Sequence, residues 1–234
     1  MTLIENILKN PDDINFLEEI DIEEKEIIEQ HELIPITDID IRTVPIYNLD
    51  DIDLTKIRLS KPTVFNDKLS VYLVYPLNKK KYSKFYFETP FSYCRYGLDT
   101  KKNINNRNDT YWIKTEYINY ENMDSDDYKS YDFFQYIVKY LHIKLSEIYD
   151  SSLKHMPFLN YENINENPIN RFMFNYRKHF FTECLDKTCR RITPFEIPEK
   201  VNVKFLLEPL EIWQNVKFYG GTWRIKKLII DKQV

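Results

Sequence analysis

Between residues 54 and 234 the apolar side chains recur at every second position in one segment after another, and this spacing restricts the fold most. Period two sorts alternate side chains onto opposite faces of a strand. Residues 69–75 (LSVYLVY) are rich in β-branched and aromatic side chains and predict a strand. Residues 56–64 predict another, with Ile57 and Leu59 on one side, and residues 82–88 are expected to pair with 69–75 across a turn at 76–81. In residues 110–118, Tyr111, Ile113, Thr115 and Tyr117 alternate with Trp112, Lys114 and Glu116. In residues 171–181, Phe172, Phe174, Tyr176 and Phe180 alternate with Arg171, Met173, Asn175, Arg177 and His179, which gives one apolar and one basic face. Residues 201–207 and 222–230 complete the series, with Trp223 and Ile225 opposite Arg224 and Lys226. The adjacent pair Gly220-Gly221 is expected to allow a tight turn between them. Such a pattern predicts an α+β chain that is mainly β.

Helical spacing interrupts the body once. Across residues 126–149, Tyr131, Phe134, Val138, Leu141, Leu145 and Ile148 fall on a single apolar face, which predicts one long amphipathic helix inserted among the strands. Its acidic lead, residues 124–127, reads as a cap, since acids at a helix start meet free N–H groups and the dipole. The spacing and closing glutamate of a calcium loop are missing. His142 lies within this helix and is expected to be structural. A second amphipathic helix is predicted over residues 12–34, carrying Ile14, Leu17, Ile20, Ile27 and Ile28 behind a cap at Asp12 or Asp13. Pro35 and Pro45 then break the chain into an extended linker.

Charge divides along the same line. Residues 1–53 hold sixteen acids against Lys9, Lys25 and Arg42, a net of −13, and residues 54–234 carry +9, so the overall −4 conceals a basic body. The expected organisation is an acidic helical arm and linker at 1–50 and a domain at 51–234. Docking on its own body, self-inhibition, self-association and binding of a partner all remain open for the arm.

Several function classes find no support. Three glycines, with no GxxxxGK[ST] or GxGxxG run, argue against nucleotide phosphate loops. No apolar run reaches the length of a membrane span, and the amino terminus lacks the basic lead and apolar block of a signal peptide. Cys94, Cys184 and Cys189 are odd in number and suit free thiols in a reducing compartment. His179, Cys184 and Cys189 lack a fourth ligand and a CxxC spacing for zinc. There is no GxSxG either, so neither an enzyme nor a cofactor is expected.

Residues 78–107 point elsewhere. This stretch holds eight bases, Lys79, Lys80, Lys81, Lys84, Arg95, Lys101, Lys102 and Arg107. Seven aromatics are threaded among them: Tyr82, Phe85, Tyr86, Phe87, Phe91, Tyr93 and Tyr96. Cations that track phosphates and rings that stack on unpaired bases suit a single-stranded nucleic acid. A strand pair with core aromatics and a solvated lysine face explains the same residues.

Two blocks carry a family resemblance. IDLTKIRLSKP leads into KLSVYLVY, FETP and Arg95-Tyr96-Gly97-Leu98, and Ile212-Trp213 precedes Phe218-Tyr219-Gly220-Gly221-Thr222-Trp223-Arg224 near the carboxyl end. Over residues 51–231 this resembles the single-stranded DNA-binding protein family of nucleocytoplasmic large DNA viruses, which includes a member in African swine fever virus. The resemblance implies an OB-like antiparallel β-barrel with DNA across its strands, acting without catalysis. Lys79, Lys80, Lys81, Lys84 and Arg95 would meet phosphates, joined by Lys101 and Lys102. Tyr82, Tyr86, Tyr93 or Tyr96 would stack on bases, and Arg177, Arg224 and Lys226 would assist from neighbouring strands. The implied role is coating or protecting single strands in viral replication, repair or packaging, in the host cytoplasm and the virion, with RNA as an open alternative ligand. A virion assembly protein whose arm docks on a neighbour is the competing expectation. Two departures stand out: Glu88 occupies the place of a usual glutamine, and no proline precedes Tyr96-Gly97.

Overall fold

The computed structural model describes residues 22–65, 68–101, 110–148, 154–156, 159–160, 167–174, 182–214 and 218–231. Helix α1 (Ile22–Glu29) is followed by strands β1 (Ile39–Asp40), β2 (Ile46–Asn48), β3 (Arg58–Leu59), β4 (Thr63–Phe65) and β5 (Lys68–Ser70). Then come β6 (Leu73–Pro76), β7 (Tyr82–Ser83), β8 (Tyr86–Glu88), β9 (Ser92–Cys94), β10 (Leu98–Lys101) and β11 (Thr110–Glu116). After helix α2 (Asp126–Ser146) the chain continues as β12 (Lys154–Met156), β13 (Leu159–Asn160), β14 (Ile169–Phe174), β15 (Glu183–Leu185) and β16 (Arg191–Ile192). It finishes with β17 (Val201–Gln214) and β18 (Phe218–Asp231).

Five of these strands close a barrel, in the order β9–β11–β14–β18–β17 and back to β9. All its pairings are antiparallel except β14 with β18. In chain order the circuit reads first, second, third, fifth, fourth, an OB-like arrangement. Period two explains the closure. Ile113, Phe172, Val203, Phe205, Trp223 and Ile225 all turn inward and are fully or almost fully buried, while Trp112, Lys114, Arg171, Met173, Asn202, Lys204, Arg224 and Lys226 beside them are half-buried on the outer face.

Helix α2 closes over this core. Phe133 and Phe134 meet Phe87 at 4.8 and 6.1 Å between ring centroids, and Phe134 meets Trp223 at 5.8 Å. The hydroxyl of Ser125 accepts from Tyr128 N at 3.0 Å and caps the helix, with Asp126 and Asp127 in its first turn. Phe134, Val138, Leu141 and Leu145 of the expected stripe are fully buried. The helix nevertheless buries more than one face, since Tyr136, Ile137, Tyr140 and Ile143 are also inside. The cause is the amino-terminal segment on its other side. Ile28 is fully buried, Lys144 Nζ donates to Glu29 O at 3.0 Å, and His31 lies 5.8 Å from the Tyr140 ring. Burial, with Arg58 and Lys144 nearby, pushes the His31 pKa down to about 4.

Several expectations need correction. Helix α1 ends at Glu29, short of residue 34, because His31 meets Arg58 at 3.0 Å and Ile34 bridges to Ser60. Residues 12–21, with Ile14, Leu17, Ile20 and the Asp12 or Asp13 cap, lie outside the described residues. The proline-bounded linker is extended but paired, β1 with β7 and β2 with β8, and Leu49 and Ile52 join the main core. The strand expected over 56–64 is divided: Asp53 Oδ1 accepts from Thr55 N and starts a turn at Leu54–Lys56 before β3 and β4. Residues 69–75 divide as well, β5 pairing with β4 while β6 pairs with β3 and β7. Gly220 and Gly221 do not form the turn. They lie inside β18, opposite Trp213 and Ile212, where β12 also approaches and pairs Met156 with Gly220.

Candidate nucleic-acid interface

Register brings one set of outward side chains into a row across the barrel. Asp99 on β10 pairs with Trp112 on β11, Trp112 with Met173 on β14, Met173 with Arg224 on β18, and Arg224 with Glu208 on β17. The next step along the β17–β8 ladder from Leu207–Phe87 sets Tyr86 beside Glu208. At the usual spacing between neighbouring strands, six strands give a row about 24 Å long.

Cations flank the row. Lys114 pairs with Arg171 across β11 and β14, and the Arg171 guanidinium lies 6.0 Å from the Trp112 ring centroid. Lys114 Nζ is 3.8 Å from Asp99. On the other side Lys226 Nζ meets Glu208 at 2.8 Å, and Arg224 meets the same carboxylate at 3.8 Å. The hydrogen bond to Glu208 raises the Lys226 pKa, so its ammonium is fully charged at neutral pH. Trp112, Lys114, Arg171, Met173, Arg224 and Lys226 are all half-buried. Flat rings between fixed cations can stack on bases while binding phosphates.

Of the residues singled out in the sequence, Tyr86, Arg224 and Lys226 belong to this face, and Lys84 lies beside it. Tyr82 packs against Ile34, Ile39 and Val74. Lys79 and Lys80 are exposed on a turn whose Asn78 Oδ1 accepts from the N–H groups of Lys80 and Lys81. Lys81 Nζ donates to Thr37 O at 2.7 Å. Tyr93 pairs with Glu116. Arg95 makes a 2.7 Å ion pair with the buried Glu116 carboxylate and lies 5.8 Å from the ring of the exposed Tyr96. Gly97 follows at φ +62°, and a Cβ there would sit 2.8 Å from Ile197 O, so the aromatic–glycine step is a packing requirement. Lys101 pairs its backbone with Thr110 at the end of β10, while Lys102 and Arg177 lie outside the described residues. Glu88 has Lys204 Nζ at 2.8 Å.

The chain is similar in structure to bacteriophage single-stranded DNA-binding proteins. With the protein from bacteriophage Enc34 in complex with ssDNA it shares 11% identity over 74% of this chain and 95% of that one, at a TM-score of 0.46. With gp2.5 of bacteriophage T7 it shares 9% identity over 64% of this chain and 88% of that one, at a TM-score of 0.44. No protein-family model matches the sequence, and no curated protein does.

Burial pushes the Cys94 thiol up to about 11 and the Cys184 thiol up to about 12, so neither is a thiolate at neutral pH. Cys184 is buried within β15 and Cys189 is exposed in the following turn. Among the described residues no three His, Cys, Asp or Glu side chains gather as metal ligands, and no helix is long and apolar enough to cross a membrane. Sequence reasoning left Trp112, Lys114, Arg171 and Met173 out of the site. Their signal was the polar half of two alternating strands, and the missing information was that those strands are neighbours.

Proposed function

We propose that this chain binds single-stranded DNA through the outer face of its barrel and performs no chemistry on it. The observation that carries this reading is the row from Trp112 through Met173 and Arg224 to Tyr86, flanked by Lys114, Arg171 and Lys226. It begins on the second and third barrel strands, the face that OB-folds use for oligonucleotides, and continues across the fifth. Stacking on Trp112 and Tyr86 needs unpaired bases, which favours a single strand over a duplex. Four cations on the same face supply sequence-independent affinity that weakens with salt. The resemblance of residues 51–231 adds the finer reading: a protein of a large DNA virus that coats single strands during replication, repair or packaging, in the host cytoplasm.

The test is a titration of the full chain against single-stranded and duplex DNA of equal length at two salt concentrations. Tighter single-strand binding that weakens with salt is expected. Equal affinity for the duplex would overturn the stacking argument. A matched RNA strand in the same titration separates the two nucleic acids.

A further inference from the structure

Beyond the barrel, the segment joining β7 to β8 has its own period-two order. Ser83, Phe85, Phe87 and Thr89 are buried, and Tyr82, Lys84, Tyr86 and Glu88 are half-exposed between them. Phe85 holds this segment down, with ring centroids 5.7 Å from Tyr75 and 6.4 Å from Tyr47. Lys84 is thereby directed to the ring of Tyr72, with Nζ 3.6 Å from the ring centroid. Tyr72 is itself fixed, because its N–H donates to Ser60 Oγ and its carbonyl accepts from Ser60 N, both at 2.9 Å. Ser60 is fully buried.

The Tyr72–Lys84 pair is off the barrel but continuous with its row. Glu208, the acid that holds Arg224 and Lys226, is also the charge that acts on Lys84. Burial lowers the Lys84 pKa, so its ammonium has surrendered water to lie on the ring. A phosphate offers that ammonium a full negative charge in place of a ring quadrupole, and its departure would expose a ring face for a base.

We infer that Tyr72 and Lys84 form a second nucleotide subsite, built on the amino-terminal strands, that lengthens the single strand held by the barrel face. The inference rests on the proposed single-strand binding. In the free protein Lys84 covers the Tyr72 ring, and in the complex it moves to a phosphate while the ring takes a base. The subsite therefore acts only on strands long enough to run past Tyr86.

Binding of the full chain to oligodeoxythymidylates of about 6 and about 16 nucleotides, within the range of OB-fold site sizes, tests this. Tyr72→Leu should lower affinity for the longer strand by about 5- to 150-fold, the loss of one stacked base, and shorten the stoichiometric footprint. Affinity for the shorter strand should stay within about twofold, since stacking on the barrel is untouched. Tyr72→Phe should keep wild-type behaviour. Lys84→Met, which retains the stem, should weaken only longer-strand binding and reduce its salt slope by about 0.7, and it carries the test if Tyr72→Leu does not fold. Wild-type affinity for the longer strand in both variants would overturn the subsite alone, as would equal losses on both strands. A wild-type chain that binds neither strand would overturn the proposed function and the subsite with it.

Discussion

Residues 78–107 crowd eight bases and seven aromatics into one stretch, whereas the face formed by β11, β14 and β18 gathers Trp112, Met173 and four cations from three distant segments. Both combine aromatic and cationic side chains, and the outcome differs. Along the stretch, Phe85 and Phe87 enter the core, Tyr82 joins a small cluster with Ile34 and Ile39, and Arg95 pairs with a buried Glu116. Lys79 and Lys80 sit on an exposed turn, and among the described residues Lys84, Tyr86 and the acidic Asp99 reach the edges of the row. On the barrel face, Trp112, Met173 and Arg224 are set side by side by strand register. Density along a sequence is therefore a poor guide to density in space when the segment changes sheets, as this one does between β7 and β8.

The sharpest way to separate the two regions is to substitute an aromatic from each. Phe87→Ala removes a fully buried ring that meets Phe133 at 4.8 Å and Trp223 at 5.1 Å. It should cost about 3–5 kcal/mol of stability, measured by denaturant unfolding. A stable Phe87→Ala chain that had lost only DNA binding would show that the stretch contributes function at that position instead of core.

Trp112→Ala is expected to do the reverse. Its ring is half-exposed under Arg171, so single-strand affinity should fall by about 1–3 kcal/mol while unfolding shifts little. Unchanged affinity would remove the row from the interface. Charge gives a second contrast. Arg224→Glu with Lys226→Glu should reduce the salt slope by about 1.4 and lower affinity for all sequences alike. Lys79→Glu with Lys80→Glu should act in the same direction more weakly, through proximity alone. A larger effect at Lys79 and Lys80 would return the site to the lysine turn.

The smallest effect concerns the amino terminus. Residues 1–21 hold six acids and one base, and a tethered acidic segment competes with phosphates for a basic face. Their removal should tighten single-strand binding modestly at low salt, with the gain vanishing as screening grows. Equal affinities at low salt would assign these residues to a partner or to packing. Removal of 1–50 is unsuitable, because Ile28 and Leu49 belong to the main core.

Much of the architecture was legible because it follows from local spacing. Alternation in residues 110–118 and 171–174 set Ile113 and Phe172 on the faces opposite Trp112, Lys114, Arg171 and Met173, and the barrel turns the first two inward and the other four outward. Heptad-like spacing placed the α2 helix to within a few residues at its carboxyl end. The sequence alone thus determined which side of each strand is apolar, since that depends only on period and burial. What the tertiary structure decided is which strands are neighbours. Hydrogen-bonded register joins Trp112 to Met173 and Met173 to Arg224 across intervals that no local pattern spans. It also splits residues 69–75 between two sheets and draws Gly220-Gly221 into a strand, because long-range pairing outweighs local turn propensity wherever a partner strand is available.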